Sequence, residues 1–194
     1  MTAPGADEGE LVARAQRGDR DAFSTLIVRH APSVLSVAWR MVGDRTLADD
    51  IAQETFLAAF RALPGFRAEA RFSTWLYRIA VNKCRDIQRA RAAHPELGRR
   101  VDEDGDPASE PPGESVLHRT PEDLLLDRQR AQQMSQALRR LPPLYREAFV
   151  LRHVEGLSYE EMSDVLATDG STLRMRVYKA RKELSRELAG LVMR

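Results

Sequence analysis

Residues 92–121 constrain the fold more than any other part of this chain. They read AAHPELGRRVDEDGDPASEPPGESVLHRTP, with five of the ten prolines, three of the eleven glycines and few large apolar side chains. Neither helical nor strand periodicity survives there. Such a composition cannot bury enough apolar surface to offset the entropy of ordering it. The segment is predicted to be a flexible acidic linker that divides the 194 residues into two domains, 1–91 and 122–194.

Both flanks read as helical. No Val/Ile/Thr-rich alternating run bounded by turn residues occurs, so strands are not expected. Leu11, Val12 and Ala15 form a first apolar stripe, stopped by Gly18. A second helix is predicted over 21–42, stopped by Gly43, with Pro32 bending or breaking it. A third starts at Thr46, in a weak variant of the capping box, and ends before Pro64-Gly65. A fourth runs over 72–91. After the linker, helices are predicted over 122–140 and from Pro143 to about 154. Ser158 and Glu161 then form an S-x-x-E capping box. The last helix covers 171–191. The fold class is all-α, two small helical domains.

Charge by segment says more than the total of +1. Residues 1–91 carry +3, residues 92–121 carry −4 and residues 122–194 carry +2. Within them, 61–91 hold eight basic and two acidic groups, and 171–194 hold seven and two. Two basic segments separated by an acidic one are a cue for nucleic-acid contact; solvated helix faces are the alternative.

The last two helices carry the most specific pattern. A short helix, a Gly-containing turn and a longer basic helix make a helix-turn-helix. Leu173, Val177, Ala180, Leu184, Leu188 and Leu191 share one face, predicted to be buried. Arg174, Met175, Tyr178, Lys179 and Lys182 lie off it. Arg174 and Lys179 sit where a recognition helix meets base edges, and arginine pairs bidentately with guanine O6 and N7. Arg176, Arg181 and Arg186 fit phosphate or surface contacts.

The fourth helix, RFSTWLYRIAVNKCRDIQRAR, gives a second signal. Leu76, Ile79, Ala80 and Ile87 form its inward stripe; Arg78, Asn82, Arg85 and Arg89 form an outward one. A basic face with an embedded asparagine can follow a phosphate backbone and read a base. Phe72 and Trp75 fit the core better than a stacking platform, whereas Tyr77 points away from the inward stripe. Loop 63–71, LPGFRAEAR, holds Phe66 and can cup an extruded base or serve as a plain connection. On the third helix, Asp49, Asp50, Gln53, Glu54 and Leu57 form an acidic patch with an apolar edge. Charge repulsion makes it a poor DNA surface and a better protein-docking one.

Other classes are disfavoured. There is no Walker loop, GxGxxG, HExxH or GxSxG, so no enzyme is expected. His30, His94, His118 and His153 lack metal-ligand spacing, and neither metal nor cofactor is expected. The single cysteine, Cys84, excludes an internal disulfide and reads as inert core. No apolar run approaches the roughly 18 residues of a membrane span, and the N-terminus lacks a signal-peptide core; the expected compartment is the cytoplasm. The main rival to a multi-surface transcription protein is a stand-alone helix-turn-helix repressor or activator that binds duplex DNA as a dimer.

DDIAQETFLAAFRAL, FRAEARFSTWLYRIAVNKCRD, ALRRLPPLYREAFVLRHVEGLSYEEMSDVL and RMRVYKARKEL together resemble bacterial extracytoplasmic-function (group IV) sigma factors of the sigma-70 family. The likeness covers both domains in the family's order. It implies a region 2 module in 1–91 and a region 4 module in 122–194. The third-helix patch then matches the surface that docks the clamp of the largest RNA polymerase subunit, and the flap of the second-largest subunit is a further partner. Phe66, Arg67 and Arg71 of the loop, with Tyr77, Arg78, Asn82, Arg85 and Arg89, match the part that captures melted −10 bases. Ser171, Thr172, Arg174, Met175, Arg176, Tyr178, Lys179 and Arg181 match the −35 reader, although family members carry Gly-Thr where this chain has Ser171-Thr172. The resemblance also implies an anti-sigma partner and a stress or envelope-response regulon.

The linker length favours a large scaffold. Thirty residues reach at most about 100 Å when extended but average roughly 30 Å as a coil. Two DNA elements two helical turns apart lie on the order of 70 Å from each other. A polymerase holding the domains apart removes that cost, and its RNA exit path is a basic channel suited to an acidic linker.

Overall fold

Eight helices and two short helical turns make up residues 7–93 and 121–192, the part of the chain that this computed structural model describes. No strand occurs among the described residues. Helix α1 spans Glu8–Gln16 and buries Leu11, Val12 and Ala15. Gly18 turns the chain at φ 91°, and Asp19 caps α2 (Arg20–Val42), accepting from the Asp21 and Ala22 N–H groups at 3.0 Å. Arg14 donates to the other carboxylate oxygen at 2.7 Å, tying α1 to that cap. Helix α2 runs through Pro32 without a break, the second of the two outcomes expected of that proline being absent. Pro32 is exposed, so water can satisfy the carbonyl that its missing N–H leaves free.

Gly43 ends α2 at φ 76°, a left-handed conformation that favours glycine. A second constraint acts there, since a Cβ would lie 2.8 Å from the Arg139 Nε. Helix α3 spans Arg45–Ala62. Its cap is Asp44, which accepts from the Leu47 N–H at 3.0 Å, and not the Thr46 box read from sequence. A carboxylate one residue before the helix reaches that N–H, and Thr46 is left exposed on the first turn. A 3₁₀ turn, Leu63–Gly65, leads to the loop before α4 (Phe72–Ala93). Leu11, Leu26, Val34, Leu63, Phe72, Trp75, Leu76 and Ala80 form a core confined to this first domain.

The second domain starts with α5 (Pro121–Arg140), whose Pro121 opens the helix as predicted. Residues 94–120, most of the predicted linker, lie outside the described residues; Ala92 and Ala93 continue α4. Helix α6 (Pro143–Phe149) runs into a π-helical turn, Val150–Val154. Arg146 donates to the carbonyls of Leu138, Arg139 and Leu141, satisfying the C-terminal end of α5. Helices α7 (Tyr159–Leu166) and α8 (Gly170–Val192) complete the domain. The Ser158–Glu161 capping box is present in both directions, at 3.1 and 2.8 Å. Ser158→Ala is expected to lower stability by about 1 kcal/mol in urea denaturation; an unchanged midpoint refutes the role of the cap. Ala137, Leu138, Leu141, Ala180 and Leu184 form this domain's own core.

A third cluster crosses between the domains. Trp39, Met41, Ile51, Tyr77, Val81 and Cys84 from the first pack with Leu151, Met162, Val165, Leu166, Leu173 and Val177 from the second. Arg146 adds a bond to the Met41 carbonyl at 2.6 Å. The sequence pattern predicted two cores; it held no sign of this shared one.

Candidate nucleic-acid interface

Helix α8 opens on a side-chain cap and turns a basic face outward. Asp169 caps it, accepting from the Thr172 N–H at 2.9 Å and from the Ser171 hydroxyl at 2.5 Å. These bonds, Ser171 first, hold the Asp169 carboxyl well below the usual carboxylate range. Leu173, Val177, Ala180 and Leu184 are buried, as the periodicity predicts; the Leu191 side chain lies outside the described residues. Met175 and Tyr178 stand 53% and 62% exposed, and Arg174, Lys179, Arg181 and Lys182 also face outward. Arg176 departs from its predicted place on the outer face. It is half-buried, and its Nη1 has no hydrogen-bond partner among the described residues.

Tyr159 is a positioning residue that the sequence did not reveal. The Arg152 and Arg174 guanidinium groups both stack over its ring, at 5.0 and 5.5 Å from the centroid. Cation–π attraction therefore steadies Arg174 in the first turns of α8. Lys179 sits 5.9 Å from the Tyr145 ring.

In the first domain the 63–71 loop is anchored on α1 and borders a cleft. Gln16 donates to the carbonyls of Leu63 and Phe66 at 3.1 and 2.6 Å, which fixes the loop on α1. Phe66 is half-buried and rests 4.9 Å from the Trp75 ring, and Trp75 in turn packs on Phe72. Phe72 and Trp75 are buried, as predicted for core residues. A cleft of about 350 Å³ opens beside them, lined by Phe66, Arg67, Trp75 and Arg78, with Asp164 of α7 on its far side.

Along α4 the predicted outward stripe splits. Arg78, Asn82 and Arg89 are exposed, and Arg89 pairs with Asp86. Arg85 is turned into a two-pronged pair with Glu147 of α6, at 3.0 and 2.7 Å, and that pairing raises its pKa. Tyr77, read from sequence as pointing away from the inward stripe of α4, is only 6% exposed. Its hydroxyl donates to Glu155 at 2.6 Å. Tyr77 does leave the first domain's inward stripe, but the second domain covers the face it points to. Burial pushes the Glu155 carboxyl above its ordinary value, with Tyr77 and Arg40 pulling the other way. Cys84 is fully buried, and burial pushes its thiol up to about 12. Such a thiol is a poor nucleophile.

The α3 patch is present as read. Asp50, Gln53, Glu54 and Leu57 are exposed and Asp49 is half-exposed, paired with Arg45 at 3.5 Å. Glu54 pairs with Lys83 at 2.5 Å. Leu57 is 57% exposed, and beside it Phe60, which the sequence reading passed over, is 48% exposed with its ring against Phe23. An aromatic one turn beyond Leu57 is the signal that a wider window would have caught.

Comparison with known proteins follows these surfaces. Residues 26–94 match Sigma-70 region 2, and residues 131–184 match Sigma-70, region 4. The RNA polymerase sigma-H factor of Pseudomonas aeruginosa is 36% identical over 185 residues, covering 94% of each chain. The chain belongs to the sigma-70 family, in its extracytoplasmic-function group. The ECF RNA polymerase sigma-E factor of Escherichia coli K12 is likewise 36% identical to this sigma factor, over 186 residues and 95% of each chain. Among solved structures, CnrH in complex with the cytosolic domain of CnrY aligns with a TM-score of 0.66 and 29% identity, over 96% of this sigma factor and 99% of that chain. The region 2 match takes in most of α2 and all of α3, the 63–71 loop and α4; the region 4 match runs from within α5 into α8. No helix of the described residues is long and apolar enough to cross a membrane.

Proposed function

We propose that this sigma factor binds core RNA polymerase through α3, reads duplex −35 DNA with α8, and captures melted −10 bases between the 63–71 loop and α4. The observation that carries the reading is the joint presence in one chain of two unlike surfaces suited to nucleic acid. One is an exposed basic helix on a helix-turn-helix. The other is a base-sized cleft floored by Phe66 and Trp75 and rimmed by Arg67 and Arg78. A dimeric repressor needs only the first.

Each surface has its work. Arg174, Met175, Tyr178 and Lys179 face the major groove, with Arg181 and the helix start at Ser171 and Thr172 towards phosphates. The Thr172 N–H is spent on the Asp169 cap, so that end contacts DNA through side chains. On the first domain, Phe66 offers a stacking face, Asn82 a base-reading amide, and Arg67, Arg71, Arg78, Arg85 and Arg89 charge for the backbone. Capture acts by mass action. Affinity for the melted strand alone shifts the duplex towards the open state. No bond is made or broken by this chain, and its role is that of a non-enzymatic initiation factor.

Leu57 and Phe60 supply the apolar part of the clamp contact. The groove between α5 and α8, lined by Met134, Phe149, Leu184 and Leu188, is the surface we assign to the flap. An anti-sigma protein is a further partner, as in the solved complex of the sigma factor RpoE with NepR from Bartonella quintana. The cytoplasm, where polymerase works, is the compartment this role requires.

The deciding experiment is in vitro transcription from genomic fragments with purified core polymerase, with and without this chain. Start sites that share two spaced elements and depend on the chain support the reading. Tight duplex binding by a dimer without polymerase refutes it. Arg174→Ala is expected to cost about 1–3 kcal/mol and to relax preference at one −35 base pair; a uniform loss across all sequences instead assigns Arg174 to phosphate.

A further inference from the structure

The floor of the cleft is held from α1, a helix that lies before the region 2 match, which begins at residue 26. Leu11, Val12 and Ala15 share one core with Phe72 and Trp75. Glu8 accepts from the His30 ring at 2.5 Å, and that ring lies 5.5 Å from Phe72. The most direct link is Gln16, the last residue of α1. Its amide nitrogen carries two hydrogens and donates to two carbonyls, Leu63 at 3.1 Å and Phe66 at 2.6 Å. Turned the other way, the amide would set its oxygen against both carbonyl oxygens.

The two bonds close over the turn that carries the stacking ring. Leu63 also accepts from the Phe66 N–H at 3.0 Å, so the Gln16 amide grips both ends of that turn. The Phe66 ring then rests 4.9 Å from Trp75 and 5.8 Å from Phe72. Two residues on, Ala68 stands at φ 54°, a left-handed conformation without a glycine to ease it. Backbone strained in this way persists only where its surroundings hold it.

We propose that Gln16 is a positioning residue for −10 base capture: its amide fixes the Phe66 carbonyl, and with it the ring, and so sets how strictly the cleft selects the extruded base. The proposal rests on the −10 reading given above. Gln16 does not line the cleft and acts through the loop alone. A stacking face by itself tolerates any base. Selection depends on where that face stands relative to the polar groups around the cleft, Arg67, Glu69 and Arg78. Binding groups discriminate only when held to within about 0.5 Å. A loop tied at one carbonyl on each side of its turn meets that demand better than a loop tied only at its ends.

The test uses the holoenzyme, this chain with core polymerase, and a pool of 12-nucleotide single strands randomised at every position; bound strands are sequenced. Phe66→Ala marks the position that the cleft reads, by loss of base preference there. Gln16→Met keeps the length of the side chain and removes both donors. It should lower the preference at that same position about tenfold, the effect of losing two hydrogen bonds of ordinary net strength. Preferences at the other positions and affinity for core polymerase should hold. Gln16→Glu, which keeps the shape and replaces the donors with acceptors, should do the same and guards against a packing fault in Gln16→Met. Gln16→Lys keeps a donor at similar reach and should restore the preference; its added charge acts on all strands alike and leaves the ratio between bases unaltered. Glu10→Gln, on the exposed side of α1, should change nothing. An unchanged preference in Gln16→Met and Gln16→Glu overturns the proposal. An equal fall at every position overturns it too, because Gln16 then serves general stability, and so does an equal loss in Gln16→Met and Gln16→Lys. If the unaltered holoenzyme selects no base, or Phe66→Ala alters no position, the −10 reading falls and the positioning with it. If Phe66→Ala abolishes a preference that the donor-free variants retain, only the positioning falls.

Discussion

Leu57→Asp should weaken binding to core polymerase by about 30- to 1000-fold, the effect of losing a hot-spot contact of roughly 2–4 kcal/mol. The argument is one of exposure and neighbours. Leu57 is 57% exposed, so it makes few contacts in the free chain, and Phe60 beside it is 48% exposed. Leu57 stands open to water on a helix face otherwise lined by Asp50, Gln53 and Glu54, and Phe60, with one side against Phe23, leaves its other side open beside it. Apolar anchors within a charged rim are the anatomy of a protein interface. An aspartate at 57 forces a desolvated carboxylate into that centre, next to acids that already repel it. Surface substitutions of this kind change stability by only about 0.5 kcal/mol, so the folded chain survives to be tested. Equilibrium binding to labelled core polymerase measures it. A variant with unaltered affinity removes α3 from the docking surface.

The helices were largely legible because their signals are local. Gly18, Gly43, Ser158 and Glu161 act within a turn of themselves, and each does in the structure what its type predicts. The exceptions are also local but finer. Thr46 and Asp44 compete for one cap, and side-chain reach decides for Asp44. Pro32 keeps α2 whole because its lost hydrogen bond falls on the wet face. The surface residues of α8 were legible for the same reason, since one buried stripe fixes which side chains point out.

What the sequence could not carry was the relation between the domains. The periodicity of α4 sorts inward from outward relative to its own bundle. Tyr77 and Arg85 were therefore read as outward, and the structure puts a second protein surface there. Glu147 and Glu155 gave no hint of partners 62 and 78 residues away. Tyr159 escaped notice for a like reason, because its value lies in the two guanidinium groups that fold onto it. A single sequence shows pattern within an element; long-range pairing between elements needs coordinates.

The largest stability effect is expected from Leu76→Ala, one residue before Tyr77 and opposite in character. Leu76 is fully buried in the core confined to the first domain, among Leu11, Leu26, Phe72 and Trp75. Truncation removes the transfer free energy of the side chain and leaves a cavity, at a cost of about 2–5 kcal/mol. For a domain of this size that lowers the melting temperature by roughly 10–30 °C. The cost falls on the first domain's own core, because no second-domain residue belongs to this cluster. Its consequence reaches the site as well. Leu76 packs in the same cluster as Phe72 and Trp75, the rings on which Phe66 rests, so a cavity there loosens the floor of the cleft. Open-complex formation should therefore fall at temperatures where the variant is still folded. Thermal and urea denaturation, with Leu57→Asp as the stable control, measure the first effect; a loss under about 1 kcal/mol contradicts a close-packed core at this position. The second is read by comparing promoter opening at 20 °C with the fraction folded, and proportional loss of the two would mean that Leu76 acts on stability alone.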